Sequence, residues 1–585
     1  MPGKSSNLGQ FWQELKRRRV IHVITVYATA AFVIIELVNN LVEPLNLPAA
    51  LPTIVIIVLV IGFPLAIILS WLYDLTSGGV ERTKPLGEIQ EGEKPVVPNA
   101  WKVATYVSFA VIAGLIVLNI VGINKQALAG SVQSLVVLPF ANYTGDDQLE
   151  YFVSGMHSSL IGDMGQVSGL QVLGETTANA YKNVNMSLPQ IATELDVDAV
   201  VESTVMCLGD SICVQIKLIS VFPKEKQLWV GNYKEEKSEI LNLYNRITRQ
   251  IADEVKIELT PQEEKQLTTV RQHHPDLIEA IYKGKFYMNQ LTPEGFKTGQ
   301  KYYNDAIAID PSDPLPYLGL ALGYSTASHV SAVVPDAQER SIAYAHRALA
   351  LDSSLAEAYV VLAARPLYID WDFSAAERYI KRAMDLNPNL PEPHYLYGWF
   401  LMLSNNVDAA IAEFKKSIEI DPINVYYTCN LAVFYVWIGR YEEALTEARK
   451  TLELNPNYPM GLLALGSAYA GLGMYDEAIE AHKKGLAISP GWENGLGIAY
   501  ALSGQRDKAL EVATGLEEIN IKWYTWAIAE IYAALGDHDK AIYWIEEAYK
   551  RHHDFVPWFN YNAYFKPLYN DPRFKEIIQS LNLPE

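Results

Sequence analysis

The C-terminal half of the chain carries the stretches SIEIDP (417–422), TLELNP (451–456) and GLAISP (485–490), which decide its fold. Their prolines follow one another at intervals of 34 residues, and RAMDLNP ends at Pro388, one interval earlier. Small residues recur with the same step in two further series. These are Ala376, Ala410, Ala444 and Ala478, and Ala364, Gly398, Ala432 and Gly466. Such regularity predicts a stack of similar supersecondary units.

A 34-residue period accommodates two antiparallel helices per unit. Gly or Ala at the crossing lets the two helices approach closely, and a proline prevents the second helix from continuing. These features are typical of the tetratricopeptide repeat. We therefore predict an all-α tetratricopeptide repeat solenoid of about eight repeats over residues 275–556, closed by a C-terminal cap over 557–585.

The concave face of such a solenoid is lined by the first helix of each pair. Counted from the small residue, the concave positions hold Tyr395, Trp399, Asn430, Trp437 and Trp526. We predict that these side chains contact a protein or peptide partner, and the resemblance to tetratricopeptide proteins implies that Asn430 bonds the partner's backbone. The alternative is that the aromatic side chains pack between repeats.

Residues 131–259 show a different pattern, in which strands and helices alternate. QSLVVLPF (133–140) is a continuous apolar run, as expected of a buried strand, and two alternating apolar runs meet at a Gly-Asp turn at 209–210. We predict a small α/β domain here. LVVLPFAN (135–142), GDDQLEYF (145–152) and AVVESTV (199–205) resemble the amino-terminal domain of the TolB-like family of bacterial inner-membrane proteins.

Cys207 and Cys213 flank that turn, and their pairing depends on its length. A three-residue loop would place them directly opposite each other and permit a cross-strand disulfide, whereas a two-residue turn shifts the register and separates them. Both alternatives are open. A disulfide here would contribute stability rather than redox catalysis.

Three apolar stretches, 20–39, 51–73 and 103–122, are long enough to cross a bilayer. The basic residues at 16–19 and in the loop 74–102 indicate cytoplasmic segments. We therefore predict a cytoplasmic segment 1–19, a three-span anchor 20–122 and an extracytoplasmic remainder. The resemblance extends to this anchor, and it implies a multi-pass protein of the inner membrane whose α/β domain and repeats are periplasmic.

Composition and sequence motifs argue against several classes of function. The 585-residue chain has a formal net charge of −20, which argues against nucleic acid as a main ligand. It lacks the phosphate-loop, nucleophile-elbow and zinc-helix motifs, so we expect no enzyme and no cofactor. Asp146, Asp147 and Glu150 lack the spacing of a calcium loop and are interpreted as turn residues, so no metal site is predicted.

The predicted function is a membrane-anchored scaffold whose periplasmic repeats hold a protein or peptide partner. The alternative is a transmembrane sensor that passes an extracytoplasmic binding event to a cytoplasmic partner. Homo-oligomerisation is compatible with either function.

Overall fold

The computed structural model describes residues 132–584, apart from 210, 223, 269–272, 331–333 and 335, together with scattered positions between 20 and 82. The chain divides into two compact units, Met1–Gly130 and Ser131–Glu585. Each unit is described by itself.

The described part of the first unit contains an antiparallel hairpin of β1 (Tyr73–Thr76) and β2 (Gly79–Arg82). Tyr73 pairs with Arg82 across it. Helical positions are described within the predicted spans 20–39 and 51–73, where the Tyr27 hydroxyl donates to the Leu59 carbonyl at 2.8 Å. The third predicted span, 103–122, lies outside the described residues.

The prediction of three membrane spans is wrong for the part of the chain that the structure describes. Among those residues, no helix is both long and apolar enough to cross a bilayer. An apolar run supplies only the composition of a span, which also requires an uninterrupted helix of about 20 residues. The hairpin of β1 and β2 begins at Tyr73, the last residue of the second predicted span, and occupies the start of the predicted loop 74–102. The predicted inner-membrane location depended on these spans and is corrected with them.

The second unit begins with an α/β region (residues 132–268). Within its described residues, six strands form one mixed sheet in the order β5-β3-β6-β7-β8, with β4 also paired to β6. The strands β3 to β6 run in parallel where they pair, and β6, β7 and β8 form an antiparallel meander. Their bounds are β3 Ser134–Val137, β4 Ala141–Asn142, β5 Gln171–Val172, β6 Ala199–Leu208, β7 Ser211–Ser220 and β8 Lys226–Glu236.

Helices cover both faces of this sheet because its strands are apolar on both sides. In β3, Leu135, Val136 and Val137 are all fully buried, as expected of a strand enclosed on two faces. One face packs against α1 and α4, and the other packs against α2 and α3. The helices of the α/β region are α1 Glu150–Gly165, α2 Glu175–Ala180, α3 Leu188–Leu195, α4 Ile240–Glu254 and α5 Pro261–Thr268.

The described residues from 275 onward form eight successive antiparallel helix pairs. The first helices are α6 Pro275–Met288, α8 Leu315–Val330, α10 Ala356–Tyr368, α12 Pro391–Leu403, α14 Val425–Trp437, α16 Pro459–Gly471, α18 Asn494–Leu502 and α20 Tyr524–Ala534. The second helices are α7 Pro293–Ile309, α9 Ala337–Leu351, α11 Phe373–Leu386, α13 Val407–Ile420, α15 Tyr441–Leu454, α17 Tyr475–Ile488, α19 Arg506–Ile519 and α21 His538–Lys550.

The small residues of the repeat allow close helix crossing. A Cβ added at Gly398 in α12 would lie 2.8 Å from the Phe414 ring of α13, so only glycine fits without a shift. Ala410, at the corresponding position of the second helix, is fully buried. The 34-residue period thus reflects a steric requirement at each crossing.

After α21 the chain continues through two 3₁₀ helices, Val556–Tyr561 and Ala563–Leu568, and ends with α22 (Pro572–Ser580). We call residues 555–568 the C-terminal segment. It turns back onto the first helices of earlier pairs, because Trp558 Nε1 donates to the Trp399 carbonyl at 2.8 Å across 159 residues of sequence.

Candidate functional site

The five predicted groove residues all lie on first helices. Tyr395 and Trp399 are on α12, Asn430 and Trp437 are on α14, and Trp526 is on α20. The structure brings the three tryptophans together: the rings of Trp399 and Trp437 have centroids 6.2 Å apart, and those of Trp437 and Trp526 stack at 6.3 Å. The three belong to one aromatic cluster.

The C-terminal segment covers this cluster. Trp558 is 1% exposed and packs edge-on against Trp399 at 5.9 Å, while Phe555 packs against Trp437 at 5.6 Å and Trp526 at 5.1 Å. Hence each of the three predicted tryptophans contacts the chain's own segment, and none is more than 8% exposed. Their contact with a separate partner stays a prediction.

In addition to ring packing, hydrogen bonds hold the C-terminal segment in place. The Tyr561 hydroxyl donates to the Leu403 carbonyl at 3.1 Å, one turn beyond the Trp558 bond to α12. Asn562 Nδ2 donates to Glu530 Oε1 of α20 at 2.6 Å, and Asn562 is itself 1% exposed. Buried polar groups paired in this way specify one position for the segment.

Glu530 is a buried carboxyl beneath the segment. Burial raises the pKa of Glu530 to about 7, and the hydrogen bonds from Asn562 and Asn494 oppose that shift only in part. Asn494 Nδ2 donates to Oε2 at 2.7 Å, so both carboxyl oxygens are occupied. The pair of amides therefore stabilises a carboxyl that burial alone would strongly disfavour in its ionised form.

Tyr395 and Asn430 lie at the edge of the filled region and are partly exposed. Asn430 Nδ2 donates to the carbonyl of Tyr426 at 2.8 Å, and its Oδ1 accepts from the Tyr395 hydroxyl at 3.4 Å. Tyr426 is 44% exposed and donates to the Tyr395 hydroxyl at 3.0 Å. A partner that bonded Asn430 would have to displace these internal bonds.

The first three helix pairs present a different surface. Their concave side faces an open cleft of about 1120 Å³, bounded on the opposite side by α1, α4 and α5 of the α/β region. Leu322 of α8 is 39% exposed and Leu291, after α6, is 64% exposed, although both are large apolar side chains. Exposed apolar side chains that line a concavity mark a binding surface more often than isolated ones do.

The two walls of the cleft differ in chemistry. The wall of helix pairs is mostly apolar and includes Ile281, Phe296, Leu315, Leu318 and Leu322. The α/β wall is rich in carboxamides, namely Gln166, Asn242, Asn245, Gln262 and Gln266. The cleft is therefore amphipathic across its width.

The α/β wall is fixed to the first helix pair by a tight contact between α1 and α6. A Cβ at Gly155 would lie 2.4 Å from the Tyr282 ring, so the glycine makes room for that ring. The Tyr282 hydroxyl, which lies 3.2 Å from the Ser159 hydroxyl and 3.4 Å from that of Tyr244, has its pKa raised by burial to about 12. It is neutral at physiological pH and acts as a structural hydrogen-bonding group.

An ion pair lies close to the same contact. Lys285 of α6 pairs with Glu175 of α2 at 3.2 Å, and the Ser158 hydroxyl also donates to Glu175. Burial acts to raise the pKa of Glu175, but Lys285 and Ser158 outweigh it and the pKa is lowered. Lys285 and Ser158 line the cleft, so a fixed charge pair lies at its border.

The far side of the α/β region is attached to later repeats. Asn389 Nδ2 donates to the carbonyls of Gly165 (3.0 Å) and Leu170 (2.8 Å). Asp421 is 3% exposed, and its Oδ1 accepts from the backbone N–H (2.9 Å) and hydroxyl (2.6 Å) of Thr177. The α/β region thus contacts the first helix pair and the residues that directly precede and follow the fourth pair.

The two cysteines are joined in the structure by a disulfide across the β6–β7 hairpin. Cys207 pairs with Cys213 and Leu208 with Ile212, which leaves a three-residue loop. A register shift between Val205 and Cys207 marks a bulge that brings the cysteines opposite each other. Neither cysteine lines the cleft.

The acidic residues considered for metal binding have local roles. Asp146 Oδ1 accepts from the Gln148 backbone N–H at 2.8 Å and so caps a 3₁₀ turn, while Glu150 pairs with Lys182. No cluster of three or more His, Cys, Asp or Glu side chains suited to a metal ion is found among the described residues.

Comparison with known proteins identifies the repeats. Family models for the tetratricopeptide repeat match residues 391–424 and 436–491. The solenoid is therefore built from tetratricopeptide repeats, a class of protein that generally acts as a scaffold for protein–protein interaction rather than as an enzyme.

Two curated relatives match larger parts of the chain at low identity. A putative adenylate cyclase 3 of Rhizobium meliloti is 24% identical over 240 residues, which cover 41% of this chain and 40% of the relative. The transcriptional regulator HilA of Salmonella typhimurium is 22% identical over 312 residues, which cover 52% of this chain and 53% of the relative. The chain thus spans about half the length, or less, of these relatives.

Two solved structures are similar over about a third of the chain. YrrB, described as a tetratricopeptide repeat protein with an unusual peptide-binding site, is 20% identical with a TM-score of 0.25, and covers 35% of this chain and 97% of its own. PilW, described as a type IV pilus biogenesis factor, is 19% identical with a TM-score of 0.30, and covers 35% of this chain and 92% of its own.

Sequence reasoning missed both the cleft and the role of the C-terminal segment. The segment had a signal, since FVPWFNYNAYF (555–565) is too aromatic for an exposed terminal cap. The cleft had none, because no repeat period or local pattern places α1, α4 and α5 opposite the first helix pairs.

Proposed function

We propose that this protein is a non-enzymatic scaffold that holds a segment of a partner protein in the cleft between the α/β region and the first three helix pairs. The single observation that carries the proposal is this open cleft of about 1120 Å³ with exposed leucines on a tetratricopeptide array. A protein partner supplies apolar side chains that remove those leucines from water, which is a favourable contribution to binding.

The concave face of the fourth, fifth and eighth helix pairs, which the C-terminal segment fills, also supports the cleft as the binding site. Trp399, Trp437 and Trp526 are covered by the C-terminal segment and would be accessible only after it moved. Tyr395 and Asn430 lie beside that region and are proposed as contacts for the flank of a long partner. The primary site in this proposal is the cleft.

A further proposal concerns the α/β region. We propose, from the motifs LVVLPFAN and AVVESTV, that it is related to the TolB-like amino-terminal domain. In support, the strands that hold these motifs, β3 and β6, lie side by side in the sheet. The relationship would assign this region an accessory role beside the repeats.

The scaffold proposal is tested by photocrosslinking in cells. A photoreactive residue at Leu322 reports on the cleft, and one at Leu454, which is 44% exposed on α15 and does not line the cleft, is the matched control. We expect one polypeptide to be captured from position 322 and lost when that chain also carries Leu291→Asp, at a second exposed leucine that lines the cleft. Equal capture from both positions, or none from position 322, would contradict the proposal.

A further inference from the structure

The carboxamides of the α/β wall are accessible from the cleft, and most of them have no side-chain hydrogen bond within the described residues. The side chains of Gln166, Asn245, Gln262 and Gln266 line the α/β wall, and the structure gives none of these side chains a hydrogen bond to another described residue. Each carboxamide carries one acceptor oxygen and an NH₂ donor, the same pair of functions that a peptide group presents. A row of them can therefore bond the backbone of a bound chain.

Charge gives the cleft no preference for an ionic ligand. The side chains that line it include three acidic and three basic residues, so their charges balance. These are Asp163, Asp352 and Glu357, and Lys265, Lys285 and Arg382. A strongly acidic, basic or phosphorylated segment would gain nothing net from this balance, and an uncharged one would lose less solvation on entry.

The two walls also distinguish an extended occupant from a helical one. A helix satisfies its own backbone groups, so the carboxamides would gain no backbone partner from it. An extended chain leaves its N–H and C=O groups open, and its side chains alternate between opposite faces. One set of side chains would face the apolar wall of Phe296, Leu318 and Leu322. The other set would face the carboxamides and must be small, so that the amide groups reach the backbone between them.

We infer that the cleft binds an extended, uncharged segment of a partner polypeptide in which apolar residues alternate with small polar ones. The apolar residues pack on the helix-pair wall, and the carboxamides of α4 and α5 bond the segment's backbone. This inference rests on the proposed function and gives the chemistry of the partner segment at that site.

The test uses the full chain and two fluorescent peptides of about eight residues, which in extended form span roughly 26 Å. Both contain only leucine and serine in equal number. In one the two alternate strictly, and in the other leucine occupies the first, fourth, fifth and eighth positions, the period of an amphipathic helix. Composition, mass and charge are identical, so only the order of residues differs.

We expect fluorescence anisotropy to show that the alternating peptide binds at least about ten-fold more tightly than the helical-order peptide. Leu322→Asp should remove this binding, while Leu454→Asp, on an exposed leucine outside the cleft, should not change it. Circular dichroism confirms that both variants keep their helix content. The double variant Gln262→Ala/Gln266→Ala should weaken the alternating peptide by about ten-fold and leave the helical-order peptide unchanged.

Tighter binding of the helical-order peptide would overturn the inference, as would equal binding of the two or no binding of either. These results are distinguishable from failure of the scaffold proposal. Capture of a partner from position 322 without a preference for the alternating peptide would reject the extended segment and leave the scaffold in place. Loss of that capture would reject both.

Discussion

On the concave side of the first three helix pairs, apolar side chains face a cleft of about 1120 Å³, whereas on the fourth, fifth and eighth pairs they face the chain's own C-terminal segment. The filled half is aromatic and nearly inaccessible to water. The open half is aliphatic on one wall and carboxamide-rich on the other. The density of tryptophan on a concave face is therefore a poor guide to where a ligand binds, since aromatic clusters are equally suited to an internal core.

The difference between the filled half and the open half is tested most directly by one substitution in each. Trp558→Ala removes a fully buried side chain from the filled half, so we expect the free energy of unfolding to fall by about 4 kcal/mol. Leu291→Ala in the open half should change it by less than about 0.5 kcal/mol, because that side chain is 64% exposed. Urea denaturation measures both. Similar losses in the two variants would show that the halves do not differ as described.

The second prediction concerns the pH dependence of the filled half. The pKa of Glu530 is raised from 4.5 to about 7 in the folded protein, so the folded state keeps a proton that the unfolded state has released between these pH values. Its contribution to stability is thus fully present below about pH 4.5 and is lost as the pH rises through 7. The loss amounts to about 3 kcal/mol.

Glu530→Gln removes this titration, and its own lost hydrogen bond is a constant offset at every pH. The measured quantity is the difference in unfolding free energy between wild type and variant. The pKa values of His482 and His553 are lowered to about 4, so these two side chains change stability with pH in the opposite direction. Their contribution is the same in both proteins and cancels in the difference. We expect the difference to fall by about 3 kcal/mol between pH 4.5 and 7.5. An unchanged difference would contradict the burial of this carboxyl beneath the C-terminal segment.

The third prediction tests the contact that attaches the α/β region, which forms one wall of the cleft, to the helix pairs. Asp421→Ala removes the acceptor for two hydrogen bonds from Thr177, which should cost between about 2 and 3 kcal/mol. Hydrogen exchange should show faster exchange at the Thr177 amide, which donates to Asp421. Asp408→Ala, on an exposed position of the preceding helix, is the control. Unchanged exchange in Asp421→Ala would mean that this contact does not hold the α/β wall.

The smallest change in stability is expected for loss of the hairpin disulfide. This change should affect stability but not peptide binding. Replacing Cys207 and Cys213 by serine opens a short loop and should reduce the unfolding free energy by about 2 kcal/mol. Since neither cysteine lines the cleft, the affinity for the alternating peptide should be unchanged. A loss of peptide binding in the double serine variant would link the hairpin to the cleft.

Much of the repeat array could be predicted from the sequence, because its determinants are local. The 34-residue period follows from close helix crossings such as that of Gly398 with Phe414, and each crossing involves residues within one unit. The family matches over 391–424 and 436–491 confirm that these are tetratricopeptide repeats.

The remainder depends on contacts that no local pattern encodes. Assignment of Trp399 to the concave face required only the period, but the ring that covers it comes from Trp558. The hairpin register required the bulge between Val205 and Cys207, which has no clear sequence signal. The predicted spans rested on apolar composition, and composition alone does not determine the length of a helix.

The attachment of the α/β region to Asp421 has a consequence for how the chain folds. An array of repeats that contact only their neighbours can form unit by unit from any point along it. Here the bond from Thr177 to Asp421 joins residues 244 positions apart, and the bond from Trp558 to Trp399 joins residues 159 apart. During synthesis the α/β region therefore cannot complete its contacts until the fourth helix pair has emerged. The middle pairs remain uncovered until the C-terminal segment arrives. Such long-range closure slows folding and makes the array cooperative where a simple solenoid would be modular.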